Sequence, residues 1–309
     1  MKFKICLYFL TVFQTIISLG QTQISTDTSV IVIPHWKKGE IHNVKFTNTT
    51  IDIEKGKEIK YPTTFNASFT VLEKDSSGYV IQWLYTKCNL ASNDVSVENQ
   101  ILTGLLNTNL ICKLTITGRF KELLNLNDVK IATDKVIGNL MERNTNNPTM
   151  YVQYNGAKQI AATKLGLETI LLKQVKLYHF SFGFKYRLNY VQENKMKIVN
   201  TFGGQPFDAI EKVQLSKLDN VNTVCVIQTQ KTVDTEVLKS QLVEYLKKLA
   251  VQSGQKEDIN YDNEKLEYKE STTQQIQFKL GLLQKGSFTR VLNLGIQHRT
   301  TIIDIELIN

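Results

Sequence analysis

The chain is 309 residues long, with 42% hydrophobic and 21% charged side chains, ample length for a substantial core. Its formal charge is +8, but the basic residues are scattered and runs such as Lys37-Lys38 and Lys247-Lys248 are short. That pattern suits solubility and weak affinity for anionic surfaces, and it excludes a nucleic-acid footprint.

Met1-Lys2-Phe3-Lys4 is a short positive segment, followed by an apolar run over 5–19 and small residues, Ser18 and Gly20, before Gln21. This reads as a secretory signal peptide over 1–20, its roughly 15-residue apolar core being short for a membrane span. No later stretch is apolar enough to cross a bilayer, so the processed chain is expected to be exported, soluble and not membrane-spanning. The full-chain charge of +8, less Lys2 and Lys4, leaves +6. Cys6 leaves too, so Cys88, Cys112 and Cys225 remain. In an oxidising compartment Cys88–Cys112 is a candidate disulfide and Cys225 a buried thiol.

Residues 36–40 read as a turn feeding a strand over 42–52. Strands over 65–72 and 79–85 follow, joined through Asp75-Ser76-Ser77-Gly78. A helix starts at Ser96 with Ile101, Leu102, Leu105 and Leu106 on one stripe, and 110–117 returns as a strand. Asn127 is placed to cap a helix carrying Val129, Ala132, Val136 and Leu140 at helical spacing. The breakers Asn144 to Pro148 end it. A second helix over 157–175 is expected to bury Ile160, Leu167, Leu171 and Val175.

The stretch 178–190 then alternates strictly. Tyr178, Phe180, Phe182, Phe184, Tyr186, Leu188 and Tyr190 fall on one parity, and His179, Ser181, Gly183, Lys185, Arg187 and Asn189 on the other. Alternation of this kind predicts one strand with a buried face. Extended, it would reach roughly 43 Å, so Gly183 is expected to mark a bulge or bend. Core packing accounts for such a row. It also makes Tyr178, Phe180, Phe182, Phe184 and Tyr186 the candidate lining of an apolar ligand cavity.

Beyond a loop at 201–206, strands are expected over 209–218 and 223–230. Asp234 caps a long amphipathic helix to about 251, with Leu238, Leu242, Tyr245 and Leu249 inward. Strands over 261–269, 273–280, 288–297 and 300–308 finish the chain. The expected fold is therefore α+β, a mostly antiparallel and strongly curved sheet with packed helices. It divides into a signal peptide over 1–20, a β-rich half over 21–126, a helical middle over 127–176, and a second β-rich half with one long helix over 177–309. Strand, turn, strand, helix recurs over 69–106 and 209–250, the pattern of a divergent two-fold repeat.

No zinc-protease, Cys-x-x-Cys, nucleophile-elbow or phosphate-loop motif is present. His35, His42, His179 and His298 are far apart, and a seven-residue spacing puts His35 and His42 on opposite faces of any shared strand. Asp304 and Glu306 share a strand face, which reads as a solvated face. No catalytic residue, metal site or cofactor is assigned. Asn48-Thr49-Thr50 and Asn66-Ala67-Ser68 match glycosylation sequons, relevant only in a eukaryotic secretory pathway.

Three segments carry a resemblance: Trp36-Lys37-Lys38-Gly39-Glu40, Gly78-Tyr79-Val80-Ile81-Gln82-Trp83 and Phe202-Gly203-Gly204-Gln205-Pro206. With Gln21 after the signal and the strand-rich ending, they resemble the uncharacterised secreted proteins of Bacteroidetes, over most of the processed chain. That resemblance implies export and carries no reaction, cofactor or catalytic residue.

The expected function is non-catalytic: a periplasmic or envelope-associated binding protein holding a lipid or other apolar or amphiphilic molecule between sheet and helices. In outline this resembles the lipoprotein-carrier type of half-barrel, with no motif specific to it. An envelope protein is a candidate partner. The rival readings are a hydrolase with a dispersed site and a purely structural or interaction protein.

Overall fold

The computed structural model describes residues 28–54, 57–91, 96–198, 206–241, 243–244, 266–294 and 298–308. The expected signal peptide, the 201–205 part of the expected loop and the end of the helix expected to reach 251 lie outside the described residues.

The chain opens with β1 (Ser29–Ile31), β2 (Ile41–Glu54), β3 (Lys57–Asp75) and β4 (Gly78–Asn89). After α1 (Val97–Gly104) come β5 (Asn109–Leu114) and β6 (Phe120–Leu123). The helical middle is α2 (Leu126–Arg143), α3 (Pro148–Ala161), α4 (Lys164–Leu171) and α5 (Lys173–Tyr178). Then follow β7 (Lys185–Arg187), β8 (Val191–Ile198), β9 (Phe207–Asp219) and β10 (Val224–Val233). The last strands are β11 (Leu266–Gln277), β12 (Leu282–Leu294) and β13 (His298–Ile308).

Eleven strands form one antiparallel sheet in the order β6-β5-β4-β3-β2-β13-β12-β11-β10-β9-β8. Pairing of β2 with β13 joins the two β-rich stretches into one continuous layer. The fold is α+β and antiparallel as expected. The strong curvature is not found: the sheet is open and not strongly curled. The strand–turn–strand–helix order recurs at β3-β4-α1 and at β9-β10 with the helical residues 235–241. Element order alone does not make a repeat.

Period-two burial explains the layer. On β3, Phe65, Ala67, Phe69 and Val71 are buried while the residues between them are partly exposed, so one sheet face turns to a core and the other to water. The helices cover the inner face, α1 resting on β4 and α5 on β12. Ser96 caps α1 as expected, accepting from the Asn99 amide at 3.3 Å. On α2, Val129 is buried and Ala132, Val136 and Leu140 pack half-buried against the core. Its N-cap is Asn125 rather than Asn127, and Asn125 spends its side chain elsewhere, accepting from the Ile111 amide at 2.9 Å.

The expected helix over 157–175 is three helices. Thr163 starts a new one, its hydroxyl accepting from the Gly166 amide at 3.0 Å, and Leu172 separates α4 from α5. Leu167, Leu171 and Val175 are buried, but Ile160 is 53% exposed because it sits before the break. The strands expected over 261–269 and 273–280 are one strand, β11, as far as residues are described. Cys88, Cys112 and Cys225 are not joined in disulfides, so the expected Cys88–Cys112 bridge is not formed. The Thr103 hydroxyl donates to Cys88 Sγ at 3.2 Å instead.

Candidate functional site

The alternating stretch 178–190 is not a strand. Tyr178 ends α5, residues 179–183 turn, and only 185–187 are extended, pairing as β7 with β1 in a separate two-stranded ribbon. The physical reason is Gly183, whose φ of +79° suits glycine and whose added Cβ would stand 2.5 Å from Thr117 Oγ1. That close approach to the β5–β6 turn breaks the run and sends its aromatic side chains to different places.

Tyr178 and Phe182 go into a closed aromatic core and stack at a centroid distance of 6.3 Å. Around them stand Phe69, 5.3 Å from Tyr178, and Trp36, 5.9 Å from Phe182. His179 is sealed in the same core beside Trp36 and Trp83, and burial pushes its imidazole down to about 3. Phe180 is half-buried, with Lys231 Nζ 5.1 Å from its ring centre. Phe184 is 42% exposed beneath the Arg119 guanidinium, 4.3 Å from the ring centre. Tyr186 is buried and its hydroxyl donates to the Ser181 carbonyl at 3.0 Å. The five residues thus share no single cavity wall. Tyr186 alone among them borders a recess of about 610 Å³, with Lys185, Arg187, Tyr190 and Leu215.

A larger cleft, about 730 Å³, lies between the inner sheet face and the helices. Its helical side is Val97, Glu98 and Ile101 of α1, Ala157 and Ile160 of α3, Ile170 of α4 and Lys173 of α5. Its sheet side is Asn48, Thr50 and Asp52 of β2, Tyr61 of β3, Arg290 of β12, and Arg299, Thr301 and Ile303 of β13. Register puts these on one face: Thr301 opposes both Arg290 and Thr50, and Ile303 opposes Asn48. The lining is amphiphilic, with isoleucines from three helices and one strand beside charged groups that come from the sheet (Asp52, Arg290, Arg299) and from the helices (Glu98, Lys173). Arg299 holds Asp52 through two bonds of 2.7 and 3.0 Å.

From Arg290 a row of charges continues across the sheet. Arg290 opposes Glu270, Glu270 opposes Lys231, and Lys231 opposes Glu211, on four consecutive strands. Arg290 donates from Nε and Nη2 to Glu270 Oε1 at 2.8 and 2.6 Å, and the Tyr268 hydroxyl donates to the same oxygen at 2.8 Å. Lys231 Nζ stands 3.9 Å from Glu270 Oε2 and 3.6 Å from Glu211 Oε1. Burial alone would raise the Glu270 carboxyl, but Arg290, Tyr268 and Lys231 outweigh it and hold the group below the usual range. These side chains alternate in sign and neutralise one another, which is how charge is kept on a half-buried face.

Among the described residues no group of three His, Cys, Asp or Glu side chains is placed to hold a metal ion. No helix among them is long and apolar enough to cross a membrane. Asp304 and Glu306 are exposed on the outer face, Glu306 lying 3.8 Å from Lys285. Asn48, within one sequon, is buried in the cleft wall.

No protein-family model matches the chain. No curated protein matches it. Among solved structures, lipovitellin, described for its lipid–protein interactions, is 9% identical with a TM-score of 0.43, over 88% of this chain and 25% of that one. This chain therefore spans about a quarter of the lipovitellin chain. A putative outer membrane lipoprotein-sorting protein domain from Vibrio parahaemolyticus is 11% identical with a TM-score of 0.15, over 86% and 85% of the two chains. Both likenesses are too loose to transfer anything to this chain.

Proposed function

We propose that the protein is an exported, non-catalytic binding protein that holds an apolar or amphiphilic molecule between its sheet and its helices. The observation that carries this is the 730 Å³ cleft, which brings isoleucines of α1, α3, α4 and β13 together with charged side chains from both the helices and the sheet. A volume of that size suits a small ligand or one lipid headgroup with part of its chains. The ligand's place is this cleft and not the row of Tyr178, Phe180, Phe182, Phe184 and Tyr186, two of which fill the closed core. Export and envelope association rest on the leader sequence and on the likeness to secreted Bacteroidetes proteins. Extraction of the purified protein with organic solvent, followed by mass spectrometry, tests the reading. A stoichiometric amphiphile is expected. An extract with none, together with failure of added alkyl-chain probes to bind, would overturn it.

A further inference from the structure

The recess of about 610 Å³ opens where the β1–β7 ribbon meets the β8–β9 end of the sheet. Val213 and Leu215 of β9, both buried, give it an apolar floor, and Gln192 opposes Val213 from β8. Backbone bonds pin the ribbon there. The Leu188 amide donates to the Thr28 carbonyl at 2.7 Å, the Tyr190 amide to Arg187 at 3.2 Å, and the Asn189 amide to Leu215 at 3.0 Å. Asn189 takes a φ of +58°, a left-handed conformation that asparagine tolerates, and the tight turn carries Tyr190 to the edge of the recess. Tyr190 is 59% exposed there, an aromatic face that the fold leaves uncovered.

Parity on β7 sets the charge. Tyr186 turns inward and spends its hydroxyl on Ser181, while Lys185 and Arg187 on either side of it stay exposed. Neither cation has an ion pair or a side-chain hydrogen bond among the described residues. The lining holds no carboxylate among those residues. The carboxylates next along the two strands are engaged elsewhere: Glu211 lies 3.6 Å from Lys231 and 3.4 Å from Asn194 Nδ2, and Glu193 lies 3.0 Å from Lys212. Unlike the charge row that runs from Arg290, which alternates in sign, Lys185 and Arg187 form a like-charged pair with nothing between them. An anion placed there gains from both.

We propose that this recess is a second binding site, for a small organic anion. Its carboxylate or phosphate is held by Lys185 and Arg187, and its flat apolar body lies against Tyr190, Val213 and Leu215. A guanidinium offers paired N–H donors that match either oxyanion, and the tyrosine ring offers a large rigid face. The site shares no lining residue with the sheet–helix cleft and does not depend on it.

The test is calorimetric titration of the purified protein with 2-naphthoate, 2-naphthyl phosphate and the neutral 2-naphthamide. Saturable binding of at least one anion is expected, and the tighter of the two names the charged group. In a Lys185→Gln, Arg187→Gln double variant, anion affinity should fall roughly ten-fold or more, the scale of a charge-assisted hydrogen bond, while 2-naphthamide is unaffected. A Lys37→Gln, Lys38→Gln variant removes the same charge from exposed positions elsewhere and should bind the anions as wild type does. Thr301→Trp, which narrows the sheet–helix cleft, should also leave anion binding unchanged. All of the glutamine changes fall on exposed side chains, so both double variants should melt with wild type. Failure of both anions to bind wild type would overturn the proposal. So would undiminished binding in the Lys185, Arg187 variant, or an equal loss in the Lys37, Lys38 variant, which would mark diffuse attraction to net charge. Loss in Thr301→Trp would move the anion to the cleft and overturn this site, leaving the amphiphile reading of the cleft in place.

Discussion

His179 Nδ1 lies 3.1 Å from the Gly118 carbonyl oxygen, and its other ring nitrogen, Nε2, is buried with no partner among the described residues. The carbonyl can only accept, so Nδ1 carries the proton and the ring is neutral. Burial holds the imidazole down at about 3, below its value of 6.5 in an unfolded chain. Protons therefore bind the unfolded state first. The stability is fully present above pH 6.5 and is lost as pH falls from there towards 3, at up to about 1.4 kcal/mol per pH unit. Thermal melts of wild type and His179→Phe between pH 7 and 4.5 check this. The variant should melt lower at pH 7 and fall less steeply with acid, since His42 is common to both chains and cancels. Parallel pH profiles would contradict the buried neutral ring.

Phe182 and Phe184 are two residues apart and should differ sharply in what truncation costs. Phe182 is fully buried against Trp36 and Tyr178, so Phe182→Ala should cost about 3–5 kcal/mol. Phe184 is 42% exposed and has Arg119 over its face. Its truncation should cost about 1 kcal/mol or less. Urea unfolding of the two variants measures the difference, and equal losses would mean that 178–190 forms one wall after all.

Glu270 links the charge row, so its removal should be felt by two cations at once. Glu270→Leu leaves Arg290 and Lys231 without their shared partner on a half-buried face and should cost about 3–5 kcal/mol. By comparison, Asp208→Ala breaks an exposed pair with Lys197 and should change stability by about 1 kcal/mol or less. Because the Glu270 carboxyl is held low, its share of stability is present above its unfolded value of 4.5 and is lost in more acidic solution. Chemical denaturation at pH 7 and pH 4 tests both statements. A Glu270→Leu protein as stable as wild type at pH 7 would show the row to be dispensable.

Much of this architecture was legible in the sequence. Period-two alternation placed β2, β3, β4, β5, β9, β10 and β13, and helical spacing placed α2, because each has one face against the same core. The same rule failed at 178–190. There alternation is met by a helix end, a glycine-pinned turn and a three-residue strand, and only the contact of Gly183 with Thr117 and Arg119, distant in sequence, decides the outcome. The cleft was harder to see. Asn48, Arg290 and Thr301 come from strands far apart in the chain and meet only through the β2–β13–β12 register. One local signal existed: Glu270 and Arg290 stand two residues from Tyr268 and Phe288, charged groups in the parity of a buried face. A charge at such a position marks either a paired network or a site, and here the network borders the site.

The cleft as the place of binding is tested most directly by filling it. Thr301 points into it from β13 and is partly exposed, so Thr301→Trp puts an indole into the open space without emptying the core. The measurement is a fluorescence titration with a neutral naphthylamine dye on wild type, Thr301→Trp and Phe184→Ala, each first shown to melt cooperatively. Saturable dye binding is expected in wild type and Phe184→Ala, and binding weakened roughly ten-fold or more in Thr301→Trp, about 1.4 kcal/mol or beyond. Undiminished binding in Thr301→Trp with loss in Phe184→Ala would contradict the account and return the ligand to the aromatic stretch.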